Sequence, residues 1–121
     1  MAGHRIFVGK RAEDIALNHL LSSGYSLLAR NWRCPYGEID IVMSQGDIIV
    51  FVEVRARNIG VEEAFLSVDV RKRYKLSRAM NAYLAQHYSE DVDSRLDIIA
   101  VRFDNGYEHG VLSHAQDVLT W

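Results

Sequence analysis

The sequence is poor in the residues that mark several classes of protein. Its 121 residues include one cysteine, which excludes an internal disulfide framework, and no Cys/His spacing is typical of a zinc site. No apolar run approaches the length of a membrane span, and the first ten residues lack the apolar core of a signal peptide. We therefore expect a cytoplasmic protein without a membrane partner.

The chain also lacks a strong excess of charge of either sign. A formal net charge of −2 argues against a protein that attracts nucleic acid over its whole surface, so any affinity for phosphate must come from local patches. The hydrophobic content of 49% and charged content of 25% are ordinary for a soluble globular protein. The length suits one core rather than two, and we expect a single domain over residues 1–121.

Residues 36–57 carry the clearest pattern in the chain, two alternating apolar runs separated by turn residues. They predict a hairpin of two strands joined at Gln45-Gly46. A loop of two residues or of four residues centred there gives the same register, with Glu53 opposite Glu38. We expect this hairpin to lie inside the sheet.

Alternation separates the hairpin into two faces, because successive side chains point to opposite sides and paired residues share a side. One face is apolar and carries Ile39, Ile41, Met43, Ile48, Val50, Val52 and Val54. The other face is mixed and carries Glu38, Asp40, Val42, Ile49, Phe51, Glu53 and Arg55. We expect six aliphatic side chains to be buried: Ile41, Val50, Val52, Val54, Ile98 and Ile99.

The three carboxylates of the mixed face, Glu38, Asp40 and Glu53, repel one another unless a positive charge compensates them. A divalent cation can do so, since Mg²⁺ takes one or two carboxylates and keeps several waters. The alternative is a solvated polar face in which Glu53 pairs with Arg55.

An amphipathic helix is predicted over residues 9–23, with Gly24 closing it. Its apolar stripe consists of Ala12, Ile15, Ala16, His19 and Leu20. Glu13 lies at the edge of that stripe and could lean over the sheet. Alternatively, Glu13 is an acid of the first turn that the helix dipole favours.

A second helix is predicted over residues 69–88, with Asp69 as its N-cap. Lys72 begins the apolar face and therefore points inward. A separate basic stripe on this helix consists of Arg71, Lys75 and Arg78. The stripe is either a solvated face or a surface that binds phosphate.

The remaining segments complete an α/β pattern. Pro35, the single proline, interrupts strand pairing in a turn over residues 34–37. The other expected elements are a strand over 25–33, a loop over 58–68 with a helical turn at 62–65, a buried strand over 95–103, a turn at 105–106, a short strand near 108–112 and a helical turn within 114–119. The predicted order is α-β-β-β-α-β-β, a mixed β-sheet flanked by helices.

Six motifs in this order carry a resemblance to a known family: GKRAEDIA (9–16), NWR (31–33), GEIDI (37–41), FVEVRAR (51–57), KRYKL (72–76) and RLDII (95–99). Together they resemble the bacterial UPF0102 family, often called YraN-like. That family is similar to the PD-(D/E)XK nuclease superfamily and its restriction-endonuclease-like core, which archaeal Holliday junction resolvases also use. The resemblance extends from Gly9 to about Val101.

The resemblance implies a metal site for Mg²⁺ or Mn²⁺. Asp40 matches the metal-binding Asp of the superfamily, and Glu53 matches its second acid. Glu38 belongs to the GEIDI motif and is either a third metal ligand or an outer carboxylate.

The same resemblance implies three further catalytic residues. Glu13 matches an acid on the first helix, and Lys72 matches a basic residue on the helix after the hairpin. Arg55 occupies the position of the superfamily lysine, which is a departure, because Arg stays charged and cannot act as a base. An arginine can still bind phosphate through two N–H groups and stabilise developing charge.

The implied function is metal-dependent hydrolysis of phosphodiesters in DNA, with branched or otherwise structured DNA as candidate substrates. Arg57, together with the basic stripe, is expected to contact nucleic acid, DNA in preference to RNA. A homodimer is expected if both strands are cut symmetrically. Two alternatives remain open: a nucleic-acid-binding module with a vestigial site, favoured by Arg55 and the nearly neutral charge, and a protein-interaction domain.

Overall fold

The computed structural model describes residues 2–57, 61–104 and 106–120. Its helices and strands follow in the order α1 (Ala2–Ser22), β1 (Ser26–Cys34), β2 (Gly37–Gln45), β3 (Ile48–Ala56), α2 (Val61–Leu66), α3 (Val70–His87), β4 (Ser94–Arg102) and β5 (Val111–Ala115), with a 3₁₀ helix at Val118–Thr120. No helix within these ranges combines the length and the apolar composition that crossing a bilayer requires.

The five strands form one mixed sheet in the order β1-β2-β3-β4-β5. Antiparallel pairs join β1 to β2, β2 to β3 and β4 to β5, whereas β3 and β4 are parallel and are connected through α2 and α3. The parallel step requires a crossover, which the helices supply. The predicted α/β architecture, its element order and the position of the hairpin inside the sheet are therefore confirmed.

The sheet has an apolar cluster on each side, because α1 and α3 pack against opposite faces. Ala12, Ala16 and Leu20 of α1 pack with Ile41, Met43, Val50, Val52, Ile99 and Val101. Leu76, Ala79, Met80 and Tyr83 of α3 pack with Ile39, Val42, Ile49, Phe51, Leu96 and Ile98. Every residue from Leu96 to Val101 is buried, as the continuous apolar run of β4 predicts.

The central hairpin has a register two residues away from the predicted one. Gln45 pairs with Ile48, so the loop is Gly46-Asp47 and not Gln45-Gly46. Gly46 has φ +59°, and a positive φ at the first loop residue suits a type II′ turn, which glycine adopts without strain. A displacement of two residues leaves both faces unchanged, so the predicted faces hold for Ile41 to Phe51 although the pairing is wrong. Ile39 is the exception, because it packs on the α3 side and not with Ile41 as predicted.

Several predicted boundaries also need correction. The first helix begins at Ala2 and not at Gly9, and β5 covers residues 111–115 and not 108–112. Val54 is half-buried, whereas the other five aliphatic residues expected in the core are buried. The helical turn expected at 62–65 is α2. Residues 58–60 of the predicted loop and residue 105 of the predicted turn lie outside the described residues.

Candidate functional site

The candidate site lies where β2 and β3 separate. Their ladder ends at the pair Ile41 and Val52, although both strands continue beyond it. At the next position the Val54 N–H donates a hydrogen bond of 2.9 Å to Asp40 Oδ2. The Asp40 carboxylate therefore substitutes for a backbone acceptor and comes close to Glu53 on the α3 side of the sheet.

The Asp40 and Glu53 carboxyl groups form a buried acidic pair. Glu53 is only 4% exposed, and Asp40 is half-buried. Burial, and after it repulsion from Glu53, raise the pKa of Asp40 to about 7. Two carboxylates held this close are unfavourable while both are ionised, so the pair favours either a proton or a cation.

Two cationic side chains reach Glu53 from different elements. Arg55 Nη2 lies 3.0 Å from Glu53 Oε2, and Lys72 Nζ approaches the same oxygen from α3 at 3.7 Å. Arg55 Nε is buried and has no hydrogen-bond partner among the described residues. Arg57 lies directly after β3, and burial and the neighbouring Arg55 lower its pKa. The inward direction predicted for Lys72 is confirmed.

Glu13 joins the site from the other side through Asn31. The amide nitrogen of Asn31 donates both its hydrogens, to Glu13 Oε1 at 3.0 Å and to Glu38 Oε1 at 2.9 Å. Burial raises the pKa of Glu13, and Asp40 contributes to the same direction. Because α1 begins eleven residues before Glu13, the alternative of an acid in the first turn is wrong.

Glu38 occupies an outer position. Its carboxylate accepts from Asn31 and lies 3.1 Å from Arg33 Nε. Within the described ranges, no three acidic, histidine or cysteine side chains form a group arranged to hold a metal ion. The structure therefore brings together Asp40 and Glu53, and it does not assemble the expected set of three ligands with Glu38.

Comparison with known proteins identifies the family. The model of the uncharacterised protein family UPF0102 matches residues 12–101. The chain belongs to this family. A UPF0102 protein of Desulfitobacterium hafniense is 38% identical over 110 residues, 87% of this chain and 88% of the relative. UPF0102 proteins of Pseudomonas entomophila and Neisseria meningitidis serogroup C are 46% and 44% identical, covering 78% and 77% of this chain and 78% and 82% of their own lengths.

Asn31 is the residue of this UPF0102 site that sequence reasoning missed. It has a left-handed backbone with φ 48°, which Asn tolerates better than most residues. It lies between the pairs that join Arg30 to Ile41 and Trp32 to Ile39, so it is opposite Asp40. An asparagine in the middle of a predicted strand was the available signal, because Asn is depleted in strands.

Asn31→Asp is expected to destabilise the protein by roughly 2–3 kcal/mol at pH 8. The change removes two charge-assisted hydrogen bonds and adds a carboxylate beside Glu13 and Glu38. The loss should shrink towards pH 4, where carboxylates become protonated. Urea denaturation at both pH values tests this, with Asn18→Asp at an exposed position of α1 as the control. Equal losses in the two variants would contradict the bridging role.

The basic stripe of the UPF0102 protein is exposed along its whole length. Arg71, Lys75 and Arg78 all face solvent. The Arg78 guanidinium lies 4.2 Å from the centre of the Tyr36 ring and 5.8 Å from that of Tyr74. One of the three cations is thus stacked on aromatic rings, which the spacing of the stripe did not indicate.

The Asp97 carboxylate forms a second polar cluster, on the α1 side of the sheet. Asp97 is fully buried. Its carboxylate accepts hydrogen bonds from Arg95 Nε and from the Asp117 N–H, both at 3.0 Å. It also pairs with His114 Nε2 at 2.8 Å. Burial alone would raise the pKa of Asp97, but these donors outweigh it and lower the pKa. The cluster anchors β5 and the 3₁₀ helix to β4, which is a structural role.

Proposed function

We propose that this UPF0102 protein is a metal-dependent endonuclease that hydrolyses phosphodiesters in DNA. The observation that carries the proposal is the buried pair of Asp40 and Glu53, flanked by Arg55 and Lys72. A carboxyl group whose pKa is strongly raised by burial and by a second carboxylate, as that of Asp40 is, is typical of functional sites. The resemblance of the surrounding motifs to PD-(D/E)XK nucleases supports the same reaction.

The donor set fits a divalent cation. Asp40 and Glu53 offer hard oxygen ligands, and Mg²⁺ or Mn²⁺ commonly takes two carboxylates and leaves its other positions to water and phosphate. A cation would also relieve the repulsion that raises the pKa of Asp40. When bound, Mg²⁺ would supply an activated water and a positive charge at the phosphoryl oxygen.

The chain's own cations have distinct roles in this proposal. The Arg55 side chain is 21% exposed, so its guanidinium can take a phosphate oxygen while Nη2 stays on Glu53. Lys72 supplies an ammonium group near the same carboxylate, and it offsets the absence of lysine at position 55. Glu13 acts indirectly, through the hydrogen bonds that it accepts from Arg30 and Asn31.

Nucleic acid binding is proposed along α3. This helix carries five Lys or Arg residues and no Asp or Glu, in a chain whose net charge is −2. Arg71 and Lys75 are exposed and lie on the same side of the helix as the approach to Lys72. Such a local cluster can bind phosphates without attracting nucleic acid to the whole surface.

A cleavage assay tests the proposed function. Branched, duplex and single-stranded DNA, and RNA, are incubated with the protein and Mn²⁺ or Mg²⁺, beside the Asp40→Asn variant. We expect cleavage of DNA by the wild type and none by the variant or in EDTA. Equal cleavage by the wild type and Asp40→Asn, or no cleavage of any substrate by the wild type, would contradict the proposal.

A nucleic-acid-binding module with a vestigial site is the second candidate, and Arg55 favours it. Arg55 cannot exchange a proton at neutral pH, and it already pairs with Glu53 at 3.0 Å. This candidate predicts DNA binding that depends on α3 and is unchanged by Mn²⁺, with no cleavage of any substrate.

A further inference from the structure

An open groove lies beside the candidate site and is lined by both aromatic and basic side chains. Its volume is about 400 Å³. We define this aromatic groove by its lining residues, Pro35, Tyr36, Arg71, Tyr74, Lys75 and Arg78. It brings together the turn between β1 and β2 and the exposed side of α3.

The two tyrosines of the aromatic groove are unusually open for large rings. Tyr36 is 42% exposed and Tyr74 is 63% exposed. The Arg78 guanidinium lies close to both ring faces, at 4.2 Å and 5.8 Å, and thereby orients them. Tyr74 is not needed to pack α3 against the sheet, because Leu76 and Ala79 make that contact. The exposed parts of both rings therefore offer π-surface between positive charges.

The aromatic groove extends towards the acidic pair by way of Lys72. A smaller cavity of about 170 Å³ shares Tyr36 and Lys75 with the groove and is also lined by Lys72. Lys72 in turn lies 3.7 Å from Glu53 Oε2. A chain of nucleotides that places one phosphate at Lys72 therefore has its neighbouring nucleotide near Tyr36 and Tyr74.

We propose that the aromatic groove binds an unpaired base of a DNA strand, next to the phosphodiester that is hydrolysed at the acidic pair. The part of this inference that concerns cleavage rests on the proposed function, whereas the binding part does not. Alternating cations and exposed rings suit single-stranded nucleic acid, because cations track the phosphates and every base has a face that can stack. Bases inside a regular duplex are already stacked on their neighbours, so the groove selects DNA with unpaired nucleotides.

Equilibrium binding of labelled oligonucleotides in EDTA tests the stacking without requiring cleavage. Tyr74→Ala should weaken binding of single-stranded DNA by about tenfold, whereas Tyr74→Phe keeps the ring and should bind like the wild type. Tyr74→Ala should leave the affinity for blunt duplex within about twofold and should not change the salt dependence. Lys75→Gln, as the matched control, should lower the slope of log K against log salt by roughly one.

An abasic site moved along the oligonucleotide identifies the stacked base. At one position the abasic site should weaken wild-type binding about tenfold and leave Tyr74→Ala binding unchanged, as expected when ring and base contact each other. Equal affinity of wild type and Tyr74→Ala for single-stranded DNA would overturn the inference, even if the protein cleaves duplex. Stacking without cleavage by the wild type in Mn²⁺ would support the inference and reject the proposed function instead.

Discussion

Asp40→Asn is expected to stabilise the metal-free protein at neutral pH while abolishing metal binding and cleavage. Asn has the shape of a protonated Asp, so its side-chain oxygen can still accept from the Val54 N–H. It carries no charge and therefore removes the repulsion with Glu53. A gain in stability from removing a charged residue is expected where that charge serves a ligand and not the fold.

The pH dependence of this gain follows from the raised pKa of Asp40. In the folded protein the pKa is about 7, above the ordinary value of 3.8, so the folded state holds this proton more tightly than the unfolded chain. The stability that the protonated form contributes is fully present below about pH 4 and is lost as the pH rises through 7. At about 1.4 kcal/mol per pKa unit, the upper limit of the loss is roughly 4 kcal/mol, and structural relaxation reduces it to about 1–3 kcal/mol.

Denaturation in EDTA at pH 5 and pH 8 measures this effect. Asp40→Asn should be more stable than the wild type at pH 8, by about 1–3 kcal/mol, with a smaller difference at pH 5. Asp47→Asn makes the same chemical change in the exposed hairpin loop and should show no such pH dependence. Added Mn²⁺ should raise the stability of the wild type alone, since only a protein that binds the ion in its folded state is stabilised by it. Equal stabilisation of both proteins by Mn²⁺ would mean that Asp40 is not a metal ligand.

Removal of either cation beside Glu53 is expected to reduce cleavage by on the order of 10², the usual effect of losing one group that stabilises transition-state charge. Arg55→Ala removes the guanidinium 3.0 Å from Glu53 Oε2, and Lys72→Met removes the ammonium at 3.7 Å while keeping an unbranched side chain of similar length. Arg55→Lys should retain or improve cleavage, because it keeps the charge and restores the residue typical of the resembled superfamily. Arg55→Ala and Lys72→Met thus test whether the positive charge is needed, and Arg55→Lys tests whether a side chain that can exchange a proton improves cleavage.

Single-turnover rates at saturating DNA distinguish this chemical effect from weaker binding. Lys10→Met, on the exposed side of α1, changes the net charge equally and serves as the control. A wild-type rate in Lys72→Met would exclude a role for the α3 ammonium. Loss of cleavage in Arg55→Lys would show that the guanidinium geometry, and not its charge, is what the site needs.

The hairpin shows which structural features the alternation of apolar residues can predict and which it cannot. Period-two alternation assigned Ile41, Met43, Val50 and Val52 to the α1 side and Val42, Ile49 and Phe51 to the α3 side correctly, but it placed Ile39 on the wrong side. It left the register undetermined, since a displacement of two residues preserves both faces. The observed loop at Gly46-Asp47 is what brings Asp40 next to Glu53 and leaves Glu38 to Asn31 and Arg33. Which two carboxylates form the acidic pair thus depends on whether the turn forms at Gln45-Gly46 or at Gly46-Asp47.

By itself, the sequence determined the element order, the buried strand β4, the N-cap Asp69 and the inward direction of Lys72, because helical and strand periodicities state which side of an element is apolar. Tertiary structure alone decided which inward side chains meet. The Asn31 bridge between α1 and β2, the Lys72 contact with β3 and the burial of Asp97 under β5 each join segments that are distant in the chain. Such contacts depend on how helices and strands pack across the sheet, and no periodicity within one element encodes that packing.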